Sequence, residues 1–353
     1  MKEKVLAALS GGVDSAVAAL LLKNDGYDVS GITMKLCDSL PDGNDVGEPN
    51  TDILDAKSIC DTLGIEHSAV SLCESFKKCV IDNFIAEYKN GGTPNPCVEC
   101  NRTIKFGKLL DIALKQGYDK LATGHYARIE KNEDGHYLLK KAVDEGKDQS
   151  YFLWTLTENE LSRVIFPLGG MTKPEIRKIA AEHGFSNAHK SDSQDICFIA
   201  DNDYASFIRN HTGESFPKGN FVDTEGNVLG EHNGIINYTV GQRKGLGIAL
   251  GRSVFVHSKD VASNTVTLSD DAELYSDTLS ASKARFSAAY NFENPVRLYA
   301  KIRYRHTPAI ATVTKTSDTT FTLTFDEPQR AAAKGQSVVL YDGDTVVGGG
   351  IIN

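Results

Sequence analysis

A glycine-containing turn near the amino terminus constrains the fold of this chain more than any other stretch. Residues 5–9 form an apolar run that predicts a short buried strand at about 4–9, and residues 13–22 place apolar side chains at helical spacing. Gly11 and Gly12 lie between these elements, where a glycine turn lets the backbone approach a phosphate closely. The N–H groups of the first helical turn would point at the same anion. This order of elements therefore predicts an anion-binding loop in an α/β fold.

The polar residues of the turn are suited to a phosphate group. Ser10 and Ser15 can donate to phosphate oxygens, whereas Asp14 beside an anion is a catalytic candidate that would hold a metal ion, Mg²⁺, or orient the leaving group. A Walker loop and a dinucleotide fingerprint are both absent from the sequence. Ser-Gly-Gly-Val-Asp-Ser instead resembles the PP-loop of ATP pyrophosphatases, which split ATP between its α and β phosphates. The resemblance implies ATP contacts from Ala8, Leu9, Ser10, Gly11, Gly12, Val13, Asp14 and Ser15. The simpler alternative is a strand–turn–helix in which Gly-Gly only marks the turn.

Strand and helix patterns alternate from residue 4 to residue 124, which predicts a doubly wound parallel sheet. The further elements expected there are strands at 28–34 and 65–70 and helices at 52–63 and 76–88. Ligands of such sheets bind beyond the carboxyl ends of the strands. Met34 and Gly124 follow predicted strands at that edge. Met34 could therefore pack on an adenine, and Gly124 could admit a ribose or a base.

Length and composition limit the class of protein. A chain of 353 residues predicts two or three domains, and its net charge of −9 requires any nucleic-acid site to be a local basic patch. No apolar run reaches the roughly 18 residues of a membrane span, and the run at residues 1–9 is too short for a signal peptide. The 7 cysteines, an odd number, are typical of free thiols in a cytoplasmic protein.

Two stretches place cysteines among residues typical of a functional site. Residues 91–101 form a loop rich in glycine and proline, and the spacing predicts a helix that begins near Arg102. Cys100 would then lie just before a helix N-terminus, where the helix dipole lowers the pKa of a thiol. Cys97 and Cys100 form a C-x-x-C pair, which can also indicate metal or redox chemistry. Cys197 stands between two apolar residues, but the polar stretch before it favours the edge of a site equally.

The composition changes after about residue 200, where alternating patterns rich in glycine, threonine and valine begin. A hairpin is expected around residues 224–227, and repeated short strands from about residue 275 predict a small barrel or sandwich. Residues 296–305 alternate apolar with basic or aromatic side chains, so one strand face would contact nucleic-acid phosphates. A merely solvated face is the alternative. The predicted domains are a catalytic domain (1–200), a small central domain (201–272) and a C-terminal β-barrel that contacts nucleic acid (273–353).

Four stretches together resemble the bacterial tRNA-specific 2-thiouridylases (the MnmA family) along the whole chain. They are the turn at 10–15, Pro94-Asn95-Pro96 with Cys100-Asn101, Lys147-Asp148-Gln149-Ser150-Tyr151-Phe152, and Asp192-Ser193-Gln194-Asp195-Ile196-Cys197-Phe198. The family uses ATP to install sulfur at C2 of the wobble uridine (U34) of tRNA. The resemblance implies an adenylated uridine, release of AMP and pyrophosphate, and a sulfur-donor protein, which is a persulfide carrier or a cysteine desulfurase.

The same resemblance implies roles for individual residues. Cys197 would carry the persulfide, and Cys100 would release the sulfur by forming a disulfide with Cys197. Asn95, Pro96 and Cys97 match the family segment near the target base. The positions that match tRNA-contacting residues of the family are His125, Lys147, Asp148, Gln149, Tyr304, Arg305 and Gln336.

One departure from the family leaves a second mechanism open. The family commonly has aspartate where this chain has Cys97, so Cys97, Cys100 and Cys197 could instead hold an iron–sulfur cluster, which thiolates bind. Two other functions also stay open: another PP-loop enzyme such as an amidotransferase-type synthetase, or a non-catalytic RNA-binding protein with a degenerate nucleotide loop. The first needs no paired cysteines, and the intact PP-loop argues against the second.

Overall fold

The computed structural model describes residues 2–37, 51–185, 196–199 and 203–353. The sequence of residues 38–50 predicts a polar loop, and these residues and the stretch Asp192–Asp195 lie outside the described residues. Within these ranges the strands assemble into three sheets of five, four and eight strands. No helix of these ranges is both long and apolar enough to cross a bilayer.

The strands and helices are numbered here in chain order. The strands are β1 (Lys4–Ala8), β2 (Asp28–Lys35), β3 (His67–Ser71), β4 (Lys120–Ala122), β5 (Arg128–Lys131), β6 (Tyr137–Lys140), β7 (Val164–Ile165), β8 (Gly219–Val222), β9 (Val228–His232), β10 (Phe255–Asp260), β11 (Thr265–Ser269), β12 (Tyr275–Phe286), β13 (Val296–Lys301), β14 (Ala309–Ser317), β15 (Thr320–Arg330), β16 (Ser337–Asp342) and β17 (Thr345–Ile352). The helices are α1 (Val13–Asn24), α2 (Thr51–Leu63), α3 (Cys73–Phe76), α4 (Asp82–Lys89), α5 (Pro96–Glu99), α6 (Leu110–Lys115), α7 (Glu158–Ser162), α8 (Lys173–Glu182) and α9 (Tyr204–Thr212).

The first sheet is parallel throughout and has the strand order β3-β2-β1-β4-β7. Val5 and Ala7 of β1 belong to a hydrophobic core that includes residues of α1 and α2, while Leu6 belongs to a second core that includes Phe84 of α4. Successive strand residues point to opposite faces, so helices cover both faces of the sheet. The predicted doubly wound parallel sheet is therefore confirmed, with the carboxyl ends of β1, β2 and β4 along one edge.

Two helices of this domain are composite. A π-helical segment, Lys77–Ile81, joins α3 to α4, and a second, Cys100–Leu109, joins α5 to α6. The second composite helix thus runs without interruption from Pro96 to Lys115. π-Helical turns are rare and occur frequently at functional sites, which draws attention to the segment that begins with Cys100.

The central domain is a four-stranded sheet with the order β10-β11-β8-β9. The hairpin expected around residues 224–227 is present, because β8 and β9 pair antiparallel on either side of it. Phe221, Val256 and Leu268 fill the interior of this domain and belong to the same apolar core as Phe84. The central domain therefore packs directly on the helices of the first domain.

The C-terminal domain is a barrel of six strands in the order β12-β15-β14-β13-β16-β17, closed because β12 also pairs with β17. The predicted barrel is thereby confirmed. The hairpin β5–β6 of the first domain extends the same sheet, since Lys140 pairs with Thr345 of β17. The backbone N–H of Lys141 also donates to the carbonyl of Asp344 at 2.8 Å. The first and last domains therefore share one sheet.

The alternation predicted for residues 296–305 extends only to residue 302. Leu298 and Ala300 are buried and Arg297 and Tyr299 are exposed, as expected. β13 ends at Lys301, however, and the chain turns immediately afterwards. A period of two applies only while the backbone is extended, so the basic face is shorter than the sequence pattern indicates.

Candidate active site

The glycine turn lies at the carboxyl end of β1 and leads directly into α1. Gly11 has a φ of +70°, and a Cβ there would lie 3.0 Å from the carbonyl oxygen of Asp52, so both backbone and packing require glycine. The backbone N–H of Ser10 donates to Ser15 Oγ at 3.2 Å, and that hydroxyl donates to the carbonyl of Gly12 at 3.0 Å. The two serine hydroxyls lie 3.4 Å apart at the N-terminus of a 12-residue helix. Hydroxyls and backbone N–H groups can together bind an anion here.

Gly124 lets the end of β4 approach this turn. A Cβ at Gly124 would lie 2.9 Å from both the carbonyl carbon of Asp14 and the backbone nitrogen of Ser15, so a side chain would press on the turn. Met34, near the end of β2, is half-buried against the core that contains Leu6. Both residues lie at the predicted edge of the sheet, and their contacts with ribose and adenine stay predictions.

Asp14 is held by two residues that sequence reasoning missed. Lys173 Nζ lies 2.8 Å from each carboxylate oxygen of Asp14, and the hydroxyl of Tyr126 donates to Oδ1 at 2.8 Å. The Lys173 side chain is 7% exposed, and it belongs to the first turn of α8. A capping box of Thr172 and Glu175 begins this helix. The sequence did contain a signal for Lys173. A lysine directly after a helix N-cap is unfavourable because the helix dipole disfavours a cation there, so its presence indicates another role.

The position of Cys100 corrects a prediction. The helix begins at Pro96 after Asn95 as N-cap, so Cys100 lies inside a helix rather than before its N-terminus. Proline is favoured at the first helical position, where its missing N–H costs nothing, and the sequence reasoning overlooked that signal. Cys97, which is exposed, occupies the first turn instead. The dipole argument for a lowered pKa at Cys100 was therefore wrong.

The fold brings Cys97, Cys100 and Cys197 together. Burial raises the pKa of each thiol, that of Cys197 to about 12, and the charges of Cys100 and Cys97 raise the Cys197 pKa further. Cys97 and Cys197 are exposed as whole residues. Their pKa values rise because protein atoms pack densely around the sulfur atoms. The three thiols are free in this structure. Among the described residues, no three His, Cys, Asp or Glu side chains are arranged to hold a metal ion.

Lys105 is a cation shared by this thiol group, and the sequence contained no signal for it. It lies in the same π-helical segment as Cys100, and its charge opposes the rise of the pKa at Cys97, Cys100 and Cys197. Its ammonium lies 3.3 Å from His125 Nε2.

The buried side chain of His125 is fixed between two partners. Burial holds the pKa of His125 well below its usual value, and the neighbouring Lys105 charge lowers it further. The imidazole is therefore neutral, and because an ammonium can only donate, Nε2 accepts from Lys105 while Nδ1–H faces Thr123 Oγ1 at 2.6 Å. Contact between His125 and tRNA stays a prediction.

The loop that precedes Cys97 is held by both other domains. The side-chain amide of Gln336 donates to the carbonyls of Thr93 at 2.8 Å and Pro94 at 3.4 Å. The backbone N–H of Thr93 donates to the carbonyl of Lys334 at 2.7 Å. From the central domain, Lys259 Nζ donates to the carbonyl of Gly92 at 3.4 Å. Gln336, expected to contact tRNA, thus positions the loop beside the thiols.

The predicted tRNA-contacting stretch at 147–149 is also engaged within the protein. Asp148 is buried, and Oδ1 accepts from the backbone N–H groups of Ala142 at 3.0 Å and Ser150 at 3.1 Å. Gln149 Oε1 accepts from the backbone N–H of Tyr126 at 3.0 Å. Lys147 is half-buried. The side chains of Asp148 and Gln149 therefore shape the loop. Contacts of Lys147, Asp148 and Gln149 with tRNA stay predictions.

The barrel contributes one exposed arginine beside this stretch. Arg305 is exposed, and the ring of Tyr304 packs on that of Phe152 with 4.4 Å between centroids. Arg303 is half-buried and donates from Nη1 to the carbonyl of Arg330 at 2.9 Å. Arg305 and the edge of Tyr304 therefore suit contact with RNA, whereas Arg303 stabilises the turn.

Three family profiles match consecutive parts of the chain. They are described as the tRNA methyl transferase HUP domain (residues 3–201), the tRNA methyl transferase PRC-barrel domain (205–270) and the aminomethyltransferase beta-barrel domain (276–352). Their limits follow the three structural units described above.

Relatives named tRNA-specific 2-thiouridylase MnmA match this chain over nearly its full length. The protein of Treponema denticola is 49% identical over 358 aligned positions, which cover 99% of this chain and 97% of the relative. That of Clostridioides difficile is 47% identical over 359 positions, which cover 100% of this chain and 98% of the relative. That of Lachnoclostridium phytofermentans is 47% identical, with 99% of each chain covered.

Proposed function

This chain belongs to the family of tRNA-specific 2-thiouridylases (MnmA), and on that premise we propose that it uses ATP to replace O2 of the wobble uridine of tRNA by sulfur. The observation that supports the proposal best is the gathering of Cys97, Cys100 and Cys197 on a fold that also presents a PP-loop. Cys100 and Cys197 lie far apart in the sequence, so only the fold brings them within reach of each other's charge.

The ATP step solves a problem of leaving groups. O2 of uridine is a poor leaving group, but its transfer to the α phosphate of ATP, with pyrophosphate released, makes it part of a departing AMP. Ser10, Ser15 and the N-terminus of α1 would hold the phosphates. Asp14 is the carboxylate of the loop that would hold Mg²⁺, which commonly needs only one or two protein carboxylates besides phosphate oxygens and water.

The sulfur step uses the two thiols in turn. A sulfur-donor protein, a persulfide carrier or a cysteine desulfurase, would load Cys197 as a persulfide. The terminal sulfur attacks C2 and AMP leaves with the C–O bonding pair, which joins Cys197 to the base through a disulfide. The Cys100 sulfur then attacks the Cys197 sulfur and expels 2-thiouridine, whose sulfur takes up the proton that the Cys100 thiol loses. The resulting Cys100–Cys197 disulfide needs two electrons from an external thiol before the next cycle.

The alternatives are less well supported. The three thiols do not form a metal-binding group as placed, so we derive no step through an iron–sulfur cluster. The profiles name methyl transfer, but paired thiols beside an ATP loop suit sulfur transfer, and the relatives matched over their full length are thiouridylases. We place the enzyme in the cytoplasm, with domains at 1–200, 201–272 and 273–353.

The test is a single-turnover assay with ATP, a persulfide-donating protein and tRNA with uridine at the wobble position, in which pyrophosphate and 2-thiouridine are both measured. We expect the wild type to form both products and Cys100→Ser to release pyrophosphate without forming 2-thiouridine. Asp14→Ala and Ser15→Ala should form neither product. Cys79→Ser, which changes a half-buried cysteine of the other π-helical segment, is the matched control. Pyrophosphate release that is independent of tRNA, without 2-thiouridine, would establish another PP-loop activity instead.

A further inference from the structure

We propose that Lys173 is a phosphate-binding residue of the ATP site, held ready by Asp14 until the nucleotide arrives. The proposal rests on the proposed use of ATP and extends it to a residue outside the glycine turn. Its basis is the contact between the Lys173 ammonium and both Asp14 oxygens at 2.8 Å, directly at the turn.

The position of Lys173 is costly for the fold alone. Its side chain is 7% exposed, and burying an ammonium costs free energy that an ion pair only partly offsets. Lys173 also belongs to the first turn of α8, where the helix dipole repels a cation. The backbone N–H of Lys173 is already satisfied by Asp144 Oδ2 at 2.9 Å, so helix capping does not require the side chain. Two apolar residues in place of the Lys173–Asp14 pair would stabilise the fold at least as well, which indicates that the pair has a role in binding.

The chemistry of the site requires a cation from outside the turn. Residues 8–15 contain no lysine or arginine, and their net charge is negative because of Asp14. A triphosphate bound there needs positive charge besides a single metal ion. Lys173 lies where that charge is needed, and a lysine ammonium binds phosphate as a point charge.

Nucleotide binding would then exchange ion-pair partners. Here Lys173 neutralises Asp14, and Tyr126 fixes the carboxylate by its hydrogen bond at 2.8 Å. With a nucleotide bound, Asp14 would be able to hold Mg²⁺ while Lys173 would bind a phosphate oxygen. Each charge keeps an opposite partner throughout, so neither is left uncompensated in a largely buried site.

The experiment measures binding without turnover. Calorimetry with α,β-methylene-ATP, which cannot be split between its α and β phosphates, and with adenosine is performed with wild type, Lys173→Met, Lys173→Arg and Asp14→Asn. The matched control is Lys178→Met, which removes an exposed lysine (76%) of the same helix.

We expect Lys173→Met to weaken binding of the ATP analogue about 10- to 100-fold, the range for loss of a hydrogen bond to a charged group. Lys173→Arg should recover part of that loss, and adenosine binding should change less than about twofold because adenosine has no phosphate. Asp14→Asn should lose the gain in affinity that Mg²⁺ gives the wild type.

Unchanged affinity of Lys173→Met for the analogue would overturn the proposal. An equal loss for adenosine would also overturn it, because it would show that the variant merely distorts the turn. If Lys173→Met does not fold, the affinities of Lys173→Arg and Asp14→Asn for the ATP analogue test the proposal. Both variants keep a polar side chain at the substituted position. Failure of the wild type to bind the analogue would instead contradict the proposed use of ATP.

Discussion

The side-chain amide of Gln336 donates to the backbone carbonyl of Thr93 at 2.8 Å and so joins residues 243 positions apart. Gln336 follows β15 of the barrel, and Thr93 lies in the loop that leads to Cys97. A cation of the central domain, Lys259, reaches the preceding carbonyl of Gly92. The barrel and the central domain thus set the position of the loop that leads to Cys97 and Cys100.

Replacing Gln336 should therefore affect catalysis more than tRNA binding. We expect Gln336→Ala to lower the single-turnover rate of thiolation about 3- to 10-fold, the range for the net loss of one hydrogen bond, with the dissociation constant of tRNA nearly unchanged. Gln336→Glu should lower the rate of thiolation at least as much, because a carboxylate cannot donate a hydrogen bond to the Thr93 carbonyl. A weaker tRNA complex with an unchanged rate would favour the direct RNA contact that the family resemblance implies.

The two arginines after β13 should differ in their effect on tRNA binding. Arg305 is exposed, so Arg305→Ala should weaken tRNA binding and reduce the slope of log K against log salt by about 1. Arg303 is committed to the carbonyl of Arg330, so Arg303→Ala should lower the melting temperature and leave the salt slope closer to that of the wild type. Filter binding across a salt series, with a thermal melt of each variant, measures both effects. Equal salt slopes for the wild type and Arg305→Ala would show that Arg305 does not contact a phosphate and that this strand face is only solvated.

Lys259 predicts a rise of stability at alkaline pH. Burial lowers the pKa of Lys259 from 10.5 to about 8, so between these values the unfolded chain binds more protons than the folded chain. The cost of burying the ammonium is fully present below pH 8 and disappears as the pH rises towards 10.5. We expect the free energy of unfolding of the wild type, relative to Lys259→Met, to increase over this window by on the order of 1–3 kcal/mol.

Urea unfolding of both proteins at pH 7 and pH 10 measures this difference. Cysteines and tyrosines that titrate in the same range are common to both proteins and cancel in the comparison. A difference that stays constant with pH would show that Lys259 is not desolvated in solution.

The thiols should show distinct defects when replaced singly. Cys197→Ser should fail to accept a persulfide from the donor, whereas Cys100→Ser should accept it and fail to deliver the sulfur. Cys97→Asp, which restores the common residue of the family, should retain full activity without bound iron. Persulfide labelling, iron analysis and anaerobic single-turnover thiolation of the three variants are the measurements. Parallel loss of iron and activity in all three would replace the persulfide mechanism by a cluster mechanism.

Local patterns predicted the parts of the site that lie close together in the sequence. The turn from Ser10 to Ser15 and the sheet that carries it follow from hydrophobic periodicity and glycine geometry, which act over a few residues. The start of the helix before Cys100 was also readable, because Asn95 and Pro96 are typical of an N-cap and a first helical residue. That error came from weighing the apolar spacing after Arg102 above the capping signal.

Long-range partners could not be predicted in the same way. Asp14 and Lys173 are separated by 159 residues, and no local rule joins them. Lys105 acquires its role only because the fold places Cys197 near the π-helical segment. The basic face was overestimated because alternation in the sequence does not show where the extended backbone ends, here at Lys301.

The position of the hairpin β5–β6 has a consequence for the folding of this chain during its synthesis. Its partner strand β17 belongs to the last part of the chain, so the strand edge at Lys140 stays unpaired until Thr345 has been synthesised. An open edge of this kind is a template for aggregation. A nascent or truncated chain that lacks the barrel therefore exposes an unpaired strand edge. The loop that leads to Cys97 also lacks its hydrogen bond from Gln336 in such a chain. We therefore expect removal of the barrel to promote aggregation of the first domain.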